Sequence, residues 1–303
     1  MRRFVATALA GALCLFITAG TSQPPSAHAR EEAEGRGKAR AGELRGVELV
    51  LESRGRTTVR FTAEAGGEEL STLVRVPDRG AVEADVTEAL LLGPDGSTLE
   101  PFDGDPAELV TVSTPAIMRD LRLVRVTFLP PAPQPPRRAT AASVNVTVTT
   151  TSAPGANEKL TRGRPHSPAF SRIYQDAVIN YDPALERANA AVDLGGEREL
   201  VGSRYLIITD ATLEGEADSL VVWKANKGLI PKLVPPPAGV WTRYDLKTYI
   251  DNAYNTWDIP PEFVLLLGDT ELVPTGGGTP KSDNYFAHVD GEDYLLDILV
   301  GRL

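Results

Sequence analysis

Two uninterrupted apolar runs near the carboxyl-terminal end constrain the fold of this chain more than any other feature. Residues 263–267 stop at a Gly-Asp pair, and residues 298–300 stop at a Gly-Arg pair. A strand that is apolar at every position is typical of a parallel sheet that helices cover on both faces. In such sheets, ligands and catalytic groups gather at the carboxyl ends of the strands. The sequence therefore predicts a functional edge just after these two runs.

The segment before these runs alternates strand and helix patterns. Residues 205–209 (YLIIT) predict a buried strand, and the amphipathic segment after it predicts a helix that stops at Gly228. Residues 229–234 predict another strand. Thr242 and Asp245 fit a capping box that opens a second helix. The order strand, helix, strand, helix, strand indicates an α/β domain with a mostly parallel sheet.

Residues 45–150 carry a different pattern, with short strands punctuated by Gly and Pro. Apolar and polar residues alternate over residues 47–51 and 59–61, and a Ser-Arg-Gly-Arg turn joins them, which predicts a β-hairpin. The alternation recurs over residues 121–129 and 142–150. Short strands at regular spacing predict an antiparallel sandwich or barrel.

The amino terminus has the pattern of a secretory signal peptide. A positively charged start precedes an apolar run over residues 4–19, and a small-residue cleavage pattern ends at Ala29. We therefore predict a signal peptide over residues 1–29 and a secreted chain that begins near Arg30. No membrane span is expected after signal removal, because no second apolar run of sufficient length follows. An uncleaved signal anchor is the alternative.

The remaining segments are polar. Residues 30–44 are charged and aperiodic, which predicts a disordered leader. Residues 151–200 predict a linker and connecting arm, with a short helix or arm over residues 170–181. The α/β region then occupies residues 201–303.

Charge and cysteine content exclude several classes of function. The formal net charge is −10, so a nucleic-acid partner is not expected. The single cysteine, Cys14, lies in the signal segment, which leaves the mature chain without a thiol nucleophile or a disulfide. His166 lies in the polar linker, where we expect an exposed side chain. His288 is interpreted either as a base oriented by a carboxylate or as a surface histidine.

Six acidic residues cluster in sequence between and around the two strand ends. They are Asp269, Asp283, Asp290, Glu292, Asp293 and Asp297. Hard oxygen ligands of this kind bind calcium in exported proteins, and we predict Asp283, Asp290 and Asp293 as possible ligands. The alternative is that Asp293 and Asp297 flank strands and accept hydrogen bonds from local N–H groups. No other cofactor is expected.

Taken in order, these segments resemble the gingipain-like cysteine peptidases, peptidase family C25. The matching segments are residues 205–209, the helix with Trp223 that ends at Lys227-Gly228, residues 250–254, 263–269 and 273–274, Ser282-Asp283 with Tyr285, and residues 290–303. Residues 117–122 with the following strand and proline cluster, and residues 170–181, are similar to the later pro-region of that family.

The resemblance implies a fold and a function. The implied fold is an incomplete caspase-like α/β parallel sheet preceded by an all-β pro-region-like domain. The implied function is that of an exported cysteine endopeptidase that acts on proteins or peptides. The family uses a histidine followed by Gly and a cysteine after a later strand, both expected beyond the Gly-Arg-Leu segment. No catalytic residue can be assigned in this chain, which we therefore expect to be truncated and inactive.

Two alternatives stay open at the level of sequence. The chain could be a secreted, non-catalytic binding or inhibitory module on the same scaffold. It could also be a hydrolase that uses carboxylates and a metal around residues 283–297, in which case removal of calcium would change its activity or its melting temperature.

Overall fold

The computed structural model describes residues 46–133, 139–160, 166–184, 200–237, 239–278, 281–291 and 293–303. Over these ranges the chain forms two compact units. The first comprises the described part of Met1–Pro115 together with Leu123–Glu158 and Ala177–Tyr181. The second comprises Ala116–Arg122, Lys159–Asp176 and Asp182–Leu303. The predicted signal peptide and leader, residues 1–44, lie outside the described residues.

β-Strands account for most of the chain before the linker. They are β1 (Gly46–Ser53), β2 (Arg56–Glu64), β3 (Leu70–Val76), β4 (Val82–Leu92), β5 (Thr98–Pro101), β6 (Val110–Val112), β7 (Ala116–Met118), β8 (Leu121–Phe128) and β9 (Ala141–Thr150). One sheet has the order β1-β2-β9-β4-β5, and another has the order β3-β8-β6, with β7 paired to β8. By residue range, β7 and the first two residues of β8 belong to the second unit.

The two sheets of the first unit share one apolar core. Alternate residues of β2, β8 and β9 point into it, as the period-two pattern predicts. Val59 and Phe61 of β2 and Val126 and Phe128 of β8 are fully buried there. The rings of Phe61 and Phe128 lie 6.0 Å apart between centroids. The predicted hairpin of β1 and β2 is confirmed, with antiparallel pairing up to the turn.

The second unit is built around a four-stranded parallel sheet. Its elements are α1 (Pro168–Ala177), β10 (Tyr205–Thr209), α2 (Glu214–Asn226), β11 (Pro231–Val234), α3 (Arg243–Thr256), β12 (Phe263–Leu267) and β13 (Leu299–Arg302). The strand order is β11-β10-β12-β13, and every neighbouring pair is parallel. The predicted alternation of strands and helices is confirmed.

The ends of the two long helices follow the predicted signals. At the start of α3, the N–H of Asp245 donates to the Thr242 hydroxyl, which in turn donates to the Asp245 carboxylate. At the end of α2, Gly228 has a φ of +77°, and its N–H donates to the carbonyl of Ala225. Glycine adopts this left-handed conformation without a steric penalty. In the described ranges no helix combines the length and apolarity needed to cross a bilayer.

The burial of the strands differs from the prediction at β12. β10 is buried at every position, as expected for a strand covered on both faces. In β12, Val264 and Leu266 are buried, whereas Phe263 and Leu265 are only half-buried. The prediction that this run is buried on both faces is therefore wrong. Helix α2 packs mainly against β10 and β11, so its cover does not extend fully over β12.

Candidate functional site

The carboxyl ends of three parallel strands meet at one edge of the sheet. The register pairs Thr209 of β10 with Leu267 of β12, and Leu266 with Arg302 of β13. A polar turn follows both β10 and β12. This edge is therefore the place where the topology predicts ligands or catalytic groups to gather.

Arg302 organises this edge. Its Nε and Nη2 atoms donate to the two carboxylate oxygens of Asp283, each at 2.9 Å. Its Nη1 atom donates to the carbonyl oxygens of Gly268 at 2.8 Å and Val273 at 2.7 Å. Longer bonds reach the carbonyl oxygens of Asp269 and Pro274.

The bonding of Arg302 indicates a positioning role. A guanidinium group has five N–H donors in a rigid fork, and here the acceptors on two loops engage that fork from both sides. The bidentate pair with Asp283 fixes the loop before β13, and the carbonyl contacts fix the turn after β12. With its donors used internally, Arg302 shapes the edge and does not present a free charge to a ligand.

The two turns at this edge are fixed by short-range hydrogen bonds. The Asp210 carboxylate accepts from the N–H of Thr212 at 2.8 Å and from its hydroxyl at 2.7 Å, which lowers the pKa of Asp210. The Asp269 carboxylate accepts from the N–H of Glu271 at 2.9 Å. Both carboxylates are typical turn-capping side chains.

Neither histidine joins the edge as a catalytic group in this structure. The carbonyl of His288 accepts from Lys247 Nζ at 2.9 Å. His166 is half-buried, and its Nε2 atom is buried without a hydrogen-bond partner. The expectation that His166 is an exposed linker residue is therefore wrong. The reason is tertiary: the His166 carbonyl accepts from Arg204, which also pairs with the buried Glu262.

Asp293 and Asp297 bind main-chain N–H groups. The Asp297 carboxylate, which is fully buried, accepts from the N–H groups of Val289 at 2.8 Å, Asp290 at 2.7 Å and Arg119 at 2.8 Å. The Asp293 carboxylate accepts from Leu295 at 2.8 Å and from Ile117 at 2.6 Å. These contacts agree with the structural alternative stated for the two aspartates, except that two of the donors are distant in sequence.

Burial changes the acidity of both aspartates. Desolvation raises the pKa of Asp297 from 3.8 to about 7, against the opposing effect of its three N–H donors. Desolvation also raises the pKa of Asp293, and the N–H bonds from Ile117 and Leu295 oppose this rise. Asp297 therefore titrates near physiological pH. It lies before β13 and not at the carboxyl edge of the sheet.

The calcium site stays a prediction. Asp283 faces Arg302, and Asp293 faces main-chain donors, so the two side chains use their oxygens in other contacts. Over the described ranges, no group of three or more His, Cys, Asp or Glu residues is placed to hold a metal ion. Glu292, which belongs to the same acidic set, lies outside those ranges.

Sequence reasoning missed the two arginines that organise the second unit. Arg302 was visible only as the residue that ends an apolar run. Arg119 lies in a segment that carries the family resemblance, but nothing local predicted its burial, because Arg-Asp between two short strands is typical of an exposed turn. Its role follows from contacts with residues more than a hundred positions away.

Comparison with known proteins finds similarity to a family of peptidases. Residues 199–303 match the model of peptidase family C25. Gingipain R1 of Porphyromonas gingivalis is 24% identical over 201 residues, which cover 65% of this chain and 19% of that protein. Gingipain R2 of Porphyromonas gingivalis strain ATCC 33277 is 26% identical over 208 residues, which cover 65% of this chain and 26% of that protein. The chain thus spans about a quarter or less of the length of these curated relatives.

A solved structure shows a weaker likeness. The complex of Porphyromonas gingivalis RgpB pro- and mature domains is 20% identical, with a TM-score of 0.31, over 45% of this chain and 96% of that chain. At that score the likeness carries no argument about the fold. The sequence matches confirm the resemblance found in residues 205–303: residues 199–303 match peptidase family C25, and the chain is similar to the gingipains.

Proposed function

We propose that this chain belongs to an exported cysteine endopeptidase that hydrolyses proteins or peptides. Residues 201–303 would supply the first half of a caspase-like catalytic domain, and residues 45–150 would be its pro-region. The observation that carries the proposal is the family match over residues 199–303, the part of the chain that contains the parallel sheet.

The carboxyl edge would serve catalysis by positioning loops. In cysteine peptidases an imidazole removes the thiol proton, the thiolate attacks the peptide carbonyl, and N–H donors stabilise the oxyanion. Such chemistry tolerates little displacement of the reacting groups. Arg302 and Asp283 would hold the loops beside the strand ends where these groups belong, and neither is assigned a direct role in bond cleavage.

The proposal includes the absence of peptidase activity from the chain by itself. The single thiol, Cys14, falls in the predicted signal segment, so residues 30–303 contain no cysteine nucleophile. We expect a purified protein of residues 30–303 to leave a denatured protein substrate intact. The cysteine mechanism would be contradicted if this protein hydrolysed the substrate and if that hydrolysis persisted after iodoacetamide treatment.

The coding sequence around the Leu303 codon offers the decisive test. We expect the reading frame to encode a His-Gly segment and then a cysteine at a strand end. The longer product should hydrolyse protein substrates in a manner abolished by iodoacetamide and by substitution of that cysteine with alanine. A frame without these residues would remove the peptidase proposal.

A non-catalytic role is the second candidate, and the lack of a thiol in residues 30–303 favours it. In that case the chain would bind a peptidase cleft as an inhibitory module. Titration of an active family peptidase with residues 30–303, read together with the coding sequence, distinguishes the two candidates. The inhibitory module predicts saturable inhibition of the peptidase and no longer reading frame.

Export can be tested separately. We expect mass spectrometry of the protein from the culture medium to show an amino terminus near Arg30. Retention of residues 1–29 on protein bound to the cell membrane would support the alternative of a signal anchor.

A further inference from the structure

The Arg119-Asp120 turn between β7 and β8 has an unusual conformation and location. Arg119 has a φ of +48°, in the left-handed region that non-glycine residues rarely adopt. Its side chain is only 1% exposed, although turn arginines are normally solvated. A strained backbone and a buried charge persist only where surrounding contacts stabilise them. The contacts of Arg119 lie within the second unit, to which residues 116–122 belong.

The guanidinium of Arg119 occupies a site made of carbonyl groups and aromatic rings. Its Nη1 atom donates to the carbonyl oxygens of Pro261 at 2.7 Å and Asp297 at 3.3 Å. Its Nη2 atom donates to the carbonyl oxygen of Pro260 at 3.3 Å. The Cζ atom lies 5.2 Å from the ring centroid of Phe170 and 5.5 Å from that of Tyr254.

Aspartates and a tyrosine bind the main chain around Arg119. The N–H groups of Ile117 and Arg119 donate to the Asp293 and Asp297 carboxylates. The Tyr174 hydroxyl donates to the Met118 carbonyl at 2.7 Å and accepts from the Asp120 N–H at 3.1 Å. Four consecutive residues are therefore bound through main-chain atoms, and the Arg119 guanidinium supplies the side-chain specificity.

This site lies at the opposite edge of the sheet from Arg302. Pro260 and Pro261 precede β12, and Asp297 precedes β13, so they mark the amino ends of the strands. Catalytic groups in parallel sheets gather at the carboxyl ends. The Arg119 site is therefore separate from the candidate functional site, and its test is independent of peptidase activity.

We propose that the second unit contains a guanidinium-binding site at the amino edge of its sheet, whose resident ligand is the Arg119-Asp120 turn. The site takes an arginine presented on a peptide turn. A planar guanidinium stacks between two ring faces and donates to several carbonyl groups in its plane, whereas the compact ammonium of lysine does neither as well. A peptide with the same turn, supplied in trans, is the exchangeable form of this ligand.

Removal of the resident side chain gives the first test. The variant Arg119→Gly empties the site, and glycine adopts the positive φ without the strain that arginine has and alanine would keep. We expect ethylguanidinium at about 10 mM, far below denaturing concentrations, to raise the melting temperature of this variant saturably by about 4 °C. Ethylammonium at the same concentration should produce less than half of that rise.

Two controls make the result specific. The matched variant Arg79→Gly removes an exposed turn arginine, and neither it nor the wild type should respond to ethylguanidinium. The variant Arg119→Lys keeps the charge and should melt below the wild type. An equal response to both cations, an equal response in the controls, or a wild-type melting temperature for Arg119→Lys would overturn the proposal.

Binding in trans gives a second test, which does not require a rise in melting temperature. A fluorescent peptide of residues 114–124 (TPAIMRDLRLV) should bind the Arg119→Gly protein, and the same peptide with lysine at position 119 should bind about tenfold more weakly. Should Arg119→Gly not fold, the peptide is titrated against Arg119→Lys instead. Equal affinity of the two peptides in either protein would refute a guanidinium-specific site.

Discussion

The second unit holds its sheet at both edges with an arginine, and the two arginines work in different surroundings. Arg302 at the carboxyl edge has a side chain 19% exposed and forms a bidentate pair with Asp283. Arg119 at the amino edge is 1% exposed, and its guanidinium donates to carbonyl oxygens between two aromatic rings. The same functional group therefore forms a partly solvated ion pair in one place and a buried set of hydrogen bonds in the other.

The difference lies in desolvation. An ion pair that water still reaches contributes modestly, because water screens the charges and can replace either partner. A buried guanidinium has lost its water, so removal of the side chain leaves the carbonyl groups of Pro260, Pro261 and Asp297 without the donor they need. We therefore expect the amino edge to be much more sensitive to substitution than the carboxyl edge.

Arg119→Ala should have the largest effect on the second unit. We expect its free energy of unfolding to fall by about 3–5 kcal/mol, because the buried carbonyl groups lose their donor and the side chain leaves an empty space between the two rings. Urea unfolding followed by tryptophan fluorescence measures this unit alone, since all three tryptophans, Trp223, Trp241 and Trp257, belong to it. A loss of unfolding free energy below about 1 kcal/mol would show that Arg119 contributes no more to stability than a solvated ion pair does.

The titration of Asp297 at the amino edge should have the next largest effect on the free energy of unfolding. The pKa of Asp297 is raised to about 7 in the folded chain from 3.8, so the folded state binds this proton more tightly. The resulting stabilisation is complete below pH 3.8 and is lost as the pH rises through about 7. We expect a loss of about 2–3 kcal/mol between pH 5 and pH 8.

The variant Asp297→Asn isolates this titration. Other ionisable groups near the site, including Asp290, Asp293 and His288, are present in both proteins, so the difference between wild type and variant cancels most of their effect. We expect the stability advantage of the wild type to shrink as the pH rises from 5 to 8. An advantage that stays constant from pH 5 to pH 8 would show that Asp297 is a carboxylate throughout this range and would contradict the raised pKa.

Substitution at the carboxyl edge should have a smaller effect. We expect Arg302→Ala to lower the free energy of unfolding by about 2 kcal/mol, since it removes charge-assisted hydrogen bonds that water partly replaces. A double-mutant cycle with Asp283→Asn should give a coupling energy of about 1 kcal/mol. A loss as large as that of Arg119→Ala would show that the two edges are equally dependent on their arginines.

Removal of calcium should have the smallest effect. Asp283 and Asp293 already accept from Arg302 and from main-chain N–H groups, so a calcium ion would have to displace these donors. We expect EGTA to change the melting temperature by less than about 1 °C. Stabilisation by several degrees on addition of calcium, lost in Asp283→Asn, would instead support the predicted site with Asp290 and Asp293.

The sequence predicted the elements whose cause is local. The capping box at Thr242 and the glycine stop at Gly228 depend on hydrogen bonds within a few residues, so their chemistry is visible in the sequence. The prediction that helices cover both faces of β12 was wrong. An apolar run shows only that a strand can be buried on both faces, not that it is. Whether a helix covers each face is a matter of packing.

The sequence by itself determined the succession of strands and helices, the polar edge after β12 and β13, and the resemblance to peptidase family C25. These follow from hydrophobic periodicity and from residues that act on their neighbours in the chain. Only the tertiary structure decided which carboxylates share an edge and which arginine is buried. Asp293 and Asp297 accept hydrogen bonds from Ile117 and Arg119, which lie 176 and 178 residues earlier in the chain. Hydrogen bonds between residues so far apart cannot be read from the local sequence. Their contribution to stability comes from burial and from contacts that exist only once the chain is folded.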